Sequence, residues 1–221
     1  MKLIKPSIEH LNSTKNPLQA IEIAGRTCYK SKDRITEGSA EKFVEMLIKR
    51  GHEAMFEHAW ASYKVVCDRG VTHEIVRHRL FSYAQESTRY CDYRGGVTFI
   101  IPPWLSELRD VKVSGRHDKI LAYPKIDEMY QDCGWLNAML DSEIKYSALL
   151  DADWTPQQAR SVLPNSLKTE IVITGNLREW KHFFKLRTAK AAHPQMQEVA
   201  NMLLKDIKIR VPVIFDEFGE E

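Results

Sequence analysis

Long apolar runs are missing from this chain, and so are most of the familiar signatures of catalysis. No stretch approaches the roughly 20 apolar residues of a membrane-spanning helix, and the opening Met1-Lys2-Leu3-Ile4-Lys5-Pro6 lacks the apolar core of a secretory leader. The four cysteines (Cys28, Cys67, Cys91, Cys133) are scattered, with no Cys-x-x-Cys pair. That speaks against a disulfide framework or a zinc site, and buried reduced thiols are expected. Charge of one sign is scarce as well: 32 basic against 30 acidic residues leave a net +2, far from the basic excess of a dedicated nucleic-acid binder. There is no Gly-x-Gly-x-x-Gly turn, no Walker loop and no Gly-x-Ser-x-Gly elbow. Phe56 stands where a zincin His-Glu-x-x-His would need its second histidine. The expectation is a cytoplasmic protein (host cytoplasm if virally encoded) with no membrane, nucleic-acid or metal partner.

What is present is ordinary globular material, 43% hydrophobic and 28% charged over 221 residues, enough for one domain spanning 1–221. Strands are expected at 1–5, 61–67, 97–101 and 170–174, from alternation and β-branched content. Helices are expected from Pro17 (with Asn16 as cap) to Tyr29, over 39–49 ended by Gly51, and from Arg69 or Gly70 to His78 behind Asp68. A long one is expected over 124–150, its stripe Ile126, Met129, Tyr130, Cys133, Leu136, Leu140 and Ile144. Such a helix needs partners beyond one small core, which suggests a subunit interface. Thr155-Pro156-Gln157-Gln158 reads as a capping box opening a short helix with Arg160. Asn176 caps a helix to Arg187, with Trp180, Phe183, Phe184 and Leu186 on one side. His193-Pro194 opens the last helix, with Met196, Val199, Ala200, Leu203 and Ile207 buried. The polar 82–96 stretch is expected to be a loop, and 104–117 irregular.

The densest chemistry lies in Arg77-His78-Arg79-Leu80-Phe81-Ser82-Tyr83-Ala84-Gln85-Glu86-Ser87-Thr88-Arg89-Tyr90. Arginines suit bidentate capture of phosphate, hydroxyls and loop amides complete such a site, and histidine titrates near neutrality. The ligand class is anionic, polar and nucleotide-like. Arg77 and Arg79 would point about 200° apart on a helix, so either the helix ends here or the two serve different ligands or subunits. A plainer reading is an exposed basic helix end in which Glu74 pairs with Arg77, a contact of little value. Another is a phosphate- or RNA-binding module.

Arg-His-Arg, seven residues, then Ser87-Thr88-Arg89-Tyr90 resembles the signature of the flavin-dependent thymidylate synthases (the ThyX family). Gly51-His52 through Glu57-His58 resembles that family's Gly-His-x-x-x-x-Glu-His, and Asn176-x-Arg178 through Arg187 its second signature region. The resemblance implies an α+β fold, a mixed sheet flanked by long helices, and a homotetramer with active sites shared between subunits. It implies reductive methylation of dUMP to dTMP, with 5,10-methylenetetrahydrofolate as one-carbon donor, NADPH-reduced FAD as hydride source, and tetrahydrofolate released. Unlike the thiol-dependent thymidylate synthases, the family manages without a protein nucleophile, and no cysteine here follows a proline. A homologue that binds FAD and nucleotide without synthase activity is the alternative.

By position, Arg187 matches the arginine that polarises the uracil and is the catalytic expectation. Flavin contacts fall on Arg77, His78, Arg79, Gln85, Asn176, Arg178, His182 and Glu57. The dUMP contacts fall on Glu74, Arg77, Gln85, Glu86, Ser87, Thr88, Arg89, Arg160 and Arg187. Departures are Cys28 and Ala54 for small hydroxyl residues, Gln85 for an acid, Glu74 for a glutamine found in some members, and His182 for asparagine. An anion at 74 beside a phosphate is unfavourable unless Arg77 compensates it.

Overall fold

The structure, a computed structural model, describes residues 1–105, 108 and 130–219, with no account of the side chains of 130–133. It is α+β, and it divides into two compact units, one of residues 1–7, 66–73 and 85–171, the other of 8–65, 74–84 and 172–221.

In the first unit, β1 (Lys2–Ile4) runs parallel to β5 (Thr98–Ile100), Leu3 opposite Phe99. Pro102-Pro103 ends the expected strand because neither can donate to a ladder. Phe99 also bridges Leu167. Helix α4 (Tyr130–Asp151), 22 residues and about 33 Å, covers this pair. Its buried positions, among the described side chains, are Leu136, Met139, Ser142, Glu143, Tyr146 and Leu150, so the expected stripe is turned. Ile144 is 46% exposed and Leu140 only half-buried. The reason is polar: Glu143 occupies a core position, where its Oε1 accepts the Val97 N–H at 2.9 Å, and no apolar period can show that. The expected start at Pro124, with Ile126 and Met129, lies outside the described residues, as do the side chains of Tyr130 and Cys133 and most of 104–117. Helix α5 (Pro156–Ala159) opens with the expected box, Gln158 Oε1 accepting the Thr155 N–H at 2.9 Å.

The four-stranded sheet has the order β2-β3-β6-β4, with most of its residues in the second unit. Along β6 (Lys168–Asn176) burial alternates residue by residue, the period of two that a pleated strand imposes. β3 (Trp60–Asp68) is as expected but one residue longer at each end. Two strands were not anticipated, β2 (Ser7–Ser13) and β4 (Ser82–Gln85). Neither holds a fully buried side chain, so no apolar alternation marks them. Helix α1 (Pro17–Cys28) packs on α2 (Ser39–Lys49) and on the 3-10 turn Glu53–His58. Helix α6 (Leu177–Arg187) packs on that turn and on α7 (Pro194–Arg210). The five expected residues of the α7 stripe are all buried. Leu186, by contrast, is 47% exposed, Cys28 is exposed rather than buried, and Asn16 sits at the α1 cap without a side-chain cap bond. No helix of the described residues is long and apolar enough to cross a membrane.

Candidate functional site

The signature begins where a helix fails to continue. Helix α3 (Arg69–Ile75) starts on Asp68, whose Oδ1 accepts the Val71 N–H at 2.7 Å, and stops three residues short of His78. The chain then turns, His78 N–H donating to the Ile75 carbonyl at 3.1 Å and Phe81 N–H to that of His78 at 3.2 Å. In this turn Arg77 and Arg79 face solvent while His78 is buried. The helix end, not a basic helix face, therefore separates the two arginines.

His78 is the centre of a polar cluster. Arg187, the last residue of α6, donates from Nε to His78 Nε2 at 3.0 Å. Guanidinium N–H groups only donate, so His78 must accept there and carry its proton on Nδ1. Nδ1 lies 3.4 Å from Oε1 of the buried Glu179. The other side of Arg187 is held by Glu74, with Nη1 to Oε2 at 2.7 Å and Nη2 to the backbone oxygen at 3.2 Å. Glu74 thus pairs with Arg187 and not with Arg77, which corrects the expected compensation. Tyr83 closes the turn, its hydroxyl 2.7 and 2.6 Å from the carbonyl oxygens of Ile75 and His78.

Burial, then the charge of Arg187, then His182 push the His78 imidazole down to about 4. Burial pushes Glu179 up, and His182 tempers it. Unfolded His78 takes up a proton below its ordinary 6.5, the folded group only near 4. Between those values the unfolded chain binds more protons, so this contribution is full above pH 6.5. It is lost as pH falls toward 4, by up to about 1.4 kcal/mol per pH unit. Glu179, raised above its ordinary 4.5, opposes this from that value upward. In His78→Gln, which stays neutral, the fall in melting temperature between pH 6.5 and 4.5 is expected to be shallower than in the parent. Parallel profiles would refute the assignment.

Beside the cluster is a cleft of about 610 Å³ lined by Glu53, Glu57, Asn176, Arg178, Glu179, Lys181, His182, Lys185 and Glu217, with Leu80 and Phe218. Four of the expected flavin residues meet here. Arg178 pairs with Glu57 at 2.5 Å, and the buried Lys181 with Glu53 at 2.7 Å and Glu217 at 3.1 Å. Asn176 uses its Oδ1 as the helix cap, accepting the Glu179 N–H at 2.9 Å, a bond worth about 1 kcal/mol. A second cleft of about 700 Å³ shares Glu53 and Arg178 and adds Arg26, Arg34, Arg50, Tyr29, Phe43 and Met55, with Cys28 and Ala54. His78, Glu179 and His182 offer ligand atoms within 4.8 Å of one another. A metal on His78 Nδ1 would need the proton moved to Nε2, against the Arg187 N–H.

The rest of the signature lies in the first unit. Arg160 donates from Nη1 to the buried Thr88 Oγ1 at 3.0 Å, and both line a cleft of about 510 Å³. Ser87 Oγ accepts the Arg89 N–H at 3.3 Å, and the exposed Arg89 guanidinium lies over the Tyr90 ring. Gln85 donates to Thr72 at 3.0 Å and Thr169 at 3.3 Å. Glu86 accepts from Tyr93 at 2.5 Å and from Lys168 at 2.8 Å, so its carboxylate is already used within the fold. Burial pulls Lys168 down, but its bonds to Glu170 and Glu86 hold it above the usual lysine value. Burial and Glu86 push Tyr93 up. Sequence reading missed Glu179, Lys181, Tyr83 and Arg69. The acid three residues after Asn176 hinted at Glu179, but nothing local signalled its burial.

Three clefts lined with arginine, one of them adjoining a buried imidazole that steadies a further arginine, define a protein that handles an anionic, nucleotide-like ligand. Residues 9–213 match the family model described as Thymidylate synthase complementing protein. The chain is 34% identical over 208 residues to a flavin-dependent thymidylate synthase of Corynebacterium efficiens, covering 91% of this chain and 79% of that one. It is 32% identical over 210 residues to one of Pyrococcus furiosus, covering 90% and 78%. It is also similar to the crystal structure of a UMP/dUMP methylase from Streptomyces cacaoi bound with 5-Br dUMP. That match has a TM-score of 0.79 and 26% identity over 99% of this chain and 96% of that one. The chain belongs to the flavin-dependent thymidylate synthases.

Proposed function

We propose that this protein methylates dUMP reductively to dTMP, taking the one-carbon unit from 5,10-methylenetetrahydrofolate and releasing tetrahydrofolate. The observation that carries this reading is Arg187, held on one side by His78 and on the other by Glu74. A guanidinium fixed in this way beside a uracil favours its N3-deprotonated form, and C5 becomes nucleophilic without a thiol. Cys67 is no rival nucleophile, because burial pushes its thiol well above the ordinary range. FAD, reduced by NADPH, supplies the hydride. The clefts that share Arg178 suit a dinucleotide, since they join aromatic and apolar surface (Tyr29, Phe43, Met55) to Arg26, Arg34, Arg50 and Lys185. His182, Asn176 and Glu57 would orient it there, while Ala54 leaves only backbone contacts.

Arg160, Thr88, Ser87 and Arg89 would hold the phosphate of dUMP, with Gln85 and Glu86 shaping the strand end behind them. Arg77 and Arg79 carry no side-chain bond or ion pair among the described residues, and both face solvent. This suits a homotetramer of one-domain chains, working in the cytoplasm, in which Arg77 of one chain and Arg187 of another reach the same dUMP. The test is dTMP formation from dUMP, methylenetetrahydrofolate, NADPH and FAD with single omissions. Product that requires FAD and NADPH and leaves tetrahydrofolate supports the reading. Binding of FAD and dUMP without product means that the departures at Ala54, Gln85 and His182 have disabled the enzyme.

A further inference from the structure

Arg69 is the first residue of α3, and nothing in the signature points to it. Its backbone N–H lies 2.9 Å from the Asn165 carbonyl oxygen and 3.1 Å from that of Leu167, which pins the residue at the wall of the 510 Å³ cleft. One guanidinium nitrogen, Nη1, is buried with no hydrogen-bond partner among the described residues. Buried donors are almost always satisfied, and a charged one left unpaired is costly. Such a group persists where something outside the fold satisfies it.

The cleft indicates what that is. Its described lining is Arg69, Arg160, Thr88, Ser161, Gln157, Asn165 and three apolar residues, with no carboxylate. The flavin-side cleft, in contrast, carries Glu53, Glu57, Glu179 and Glu217 among its cations. Two guanidinium groups, two hydroxyls and two amides without a competing acid match a phosphate monoester, whose several acceptor oxygens need several donors. Two acids in this unit are engaged elsewhere. Glu86 is taken by Lys168 and Tyr93, and Asp68 caps α3 through the Val71 N–H.

We infer that Arg69 is a third phosphate anchor beside Arg160 and Thr88, its guanidinium donating to the 5′-phosphate of the nucleotide. This rests on the dUMP reading above and adds a residue to it. Arg69 then selects a nucleotide over a nucleoside. It also trades stability for affinity, since a guanidinium nitrogen buried without a partner is a liability until the ligand arrives.

The experiment measures dUMP, deoxyuridine and inorganic phosphate binding by calorimetry on the FAD-loaded protein, for the parent, Arg69→Gln and Arg160→Gln. In Arg69→Gln, dUMP affinity is expected to fall about 10- to 100-fold, the range for a charged hydrogen bond, and phosphate affinity to fall with it. Deoxyuridine affinity should stay within about twofold of the parent, because only the phosphate is addressed. The ligand-free melting temperature should not drop, which a merely structural arginine would not permit. Parent-like dUMP affinity in Arg69→Gln, with Arg160→Gln weakened, overturns the inference. If Arg69→Gln does not fold, Arg69→Lys keeps the charge but loses the fork and should bind dUMP weakly. Parent-like dUMP binding by Arg69→Lys, or failure of both variants to fold, overturns the inference. A parent protein that binds no dUMP removes the functional reading itself, a result separable from loss in one variant.

Discussion

Arg187→Ala is expected to lower kcat for dTMP formation by about 100- to 1000-fold, the loss seen when one preorganised charge-stabilising donor is removed. The fold should survive. Arg187 lies at the end of α6 and is partly exposed, and its partner Glu74 is about a third exposed, so the carboxylate left behind can be hydrated. His78 is already neutral and loses only a donor. Arg187→Lys should resemble the alanine variant. A single ammonium cannot donate to His78 Nε2 while also meeting Glu74 Oε2 and the Glu74 carbonyl in one plane. The decisive measurement is the division between kcat and KM. A loss confined to KM makes Arg187 a binding group only, and an unchanged kcat/KM removes it from the chemistry.

Gly175→Ala should be the most destabilising alanine substitution among the described glycines. A Cβ built on Gly175 would lie 2.0 Å from Phe81 Cδ1 and 2.3 Å from Cε1. Phe81 cannot easily yield. It is buried, with Trp180 at 4.6 Å and Phe183 at 5.9 Å between ring centroids. Overpacking of this kind costs about 3 kcal/mol, which for a chain of this size lowers the melting temperature by about 6–12 °C. Activity should fall too, because the Phe81 ring also lies 6.2 Å from that of His78. Combining the substitution with Phe81→Leu should restore part of the loss, since the two sites share the same space. Equal melting temperatures for parent and Gly175→Ala would show that Phe81 yields without cost and would refute the prediction.

Where the chain announces itself in apolar periods or cap chemistry, the sequence was a sound guide. Helix α2 falls on the expected residues, the stripe of α7 is buried as read, and Asn176 and Gln158 make their cap bonds. The failures are polar. Strands β2 and β4 bury no side chain fully and are held through the backbone, which leaves no mark on composition. Glu143 turned the α4 stripe because a carboxylate accepting a backbone N–H is read as a surface residue. The same limit applies at the site. Arginines, histidine and hydroxyls were visible as a cluster of chemistry. That Glu74 belongs to Arg187, 113 positions away, or that Glu86 is taken by Lys168, 82 positions away, is a consequence of topology. Arg69 stood outside every motif, and only its unmet donor brings it forward.

The Arg77-His78-Arg79 turn presents its three letters outward, inward, outward. Its middle letter therefore answers to one selection and its outer letters to another. His78 is tied to Arg187 and lies close to Glu179 and Phe183 within its own chain, so a lineage that keeps the fold but abandons the chemistry has reason to retain it. Arg77 and Arg79 contribute no side-chain bond to that fold among the described residues, and drift would erase them first. In descendants of this protein, a lone histidine with its flanking arginines gone would mark a scaffold put to other use, whereas an intact triplet would mark an enzyme still under selection.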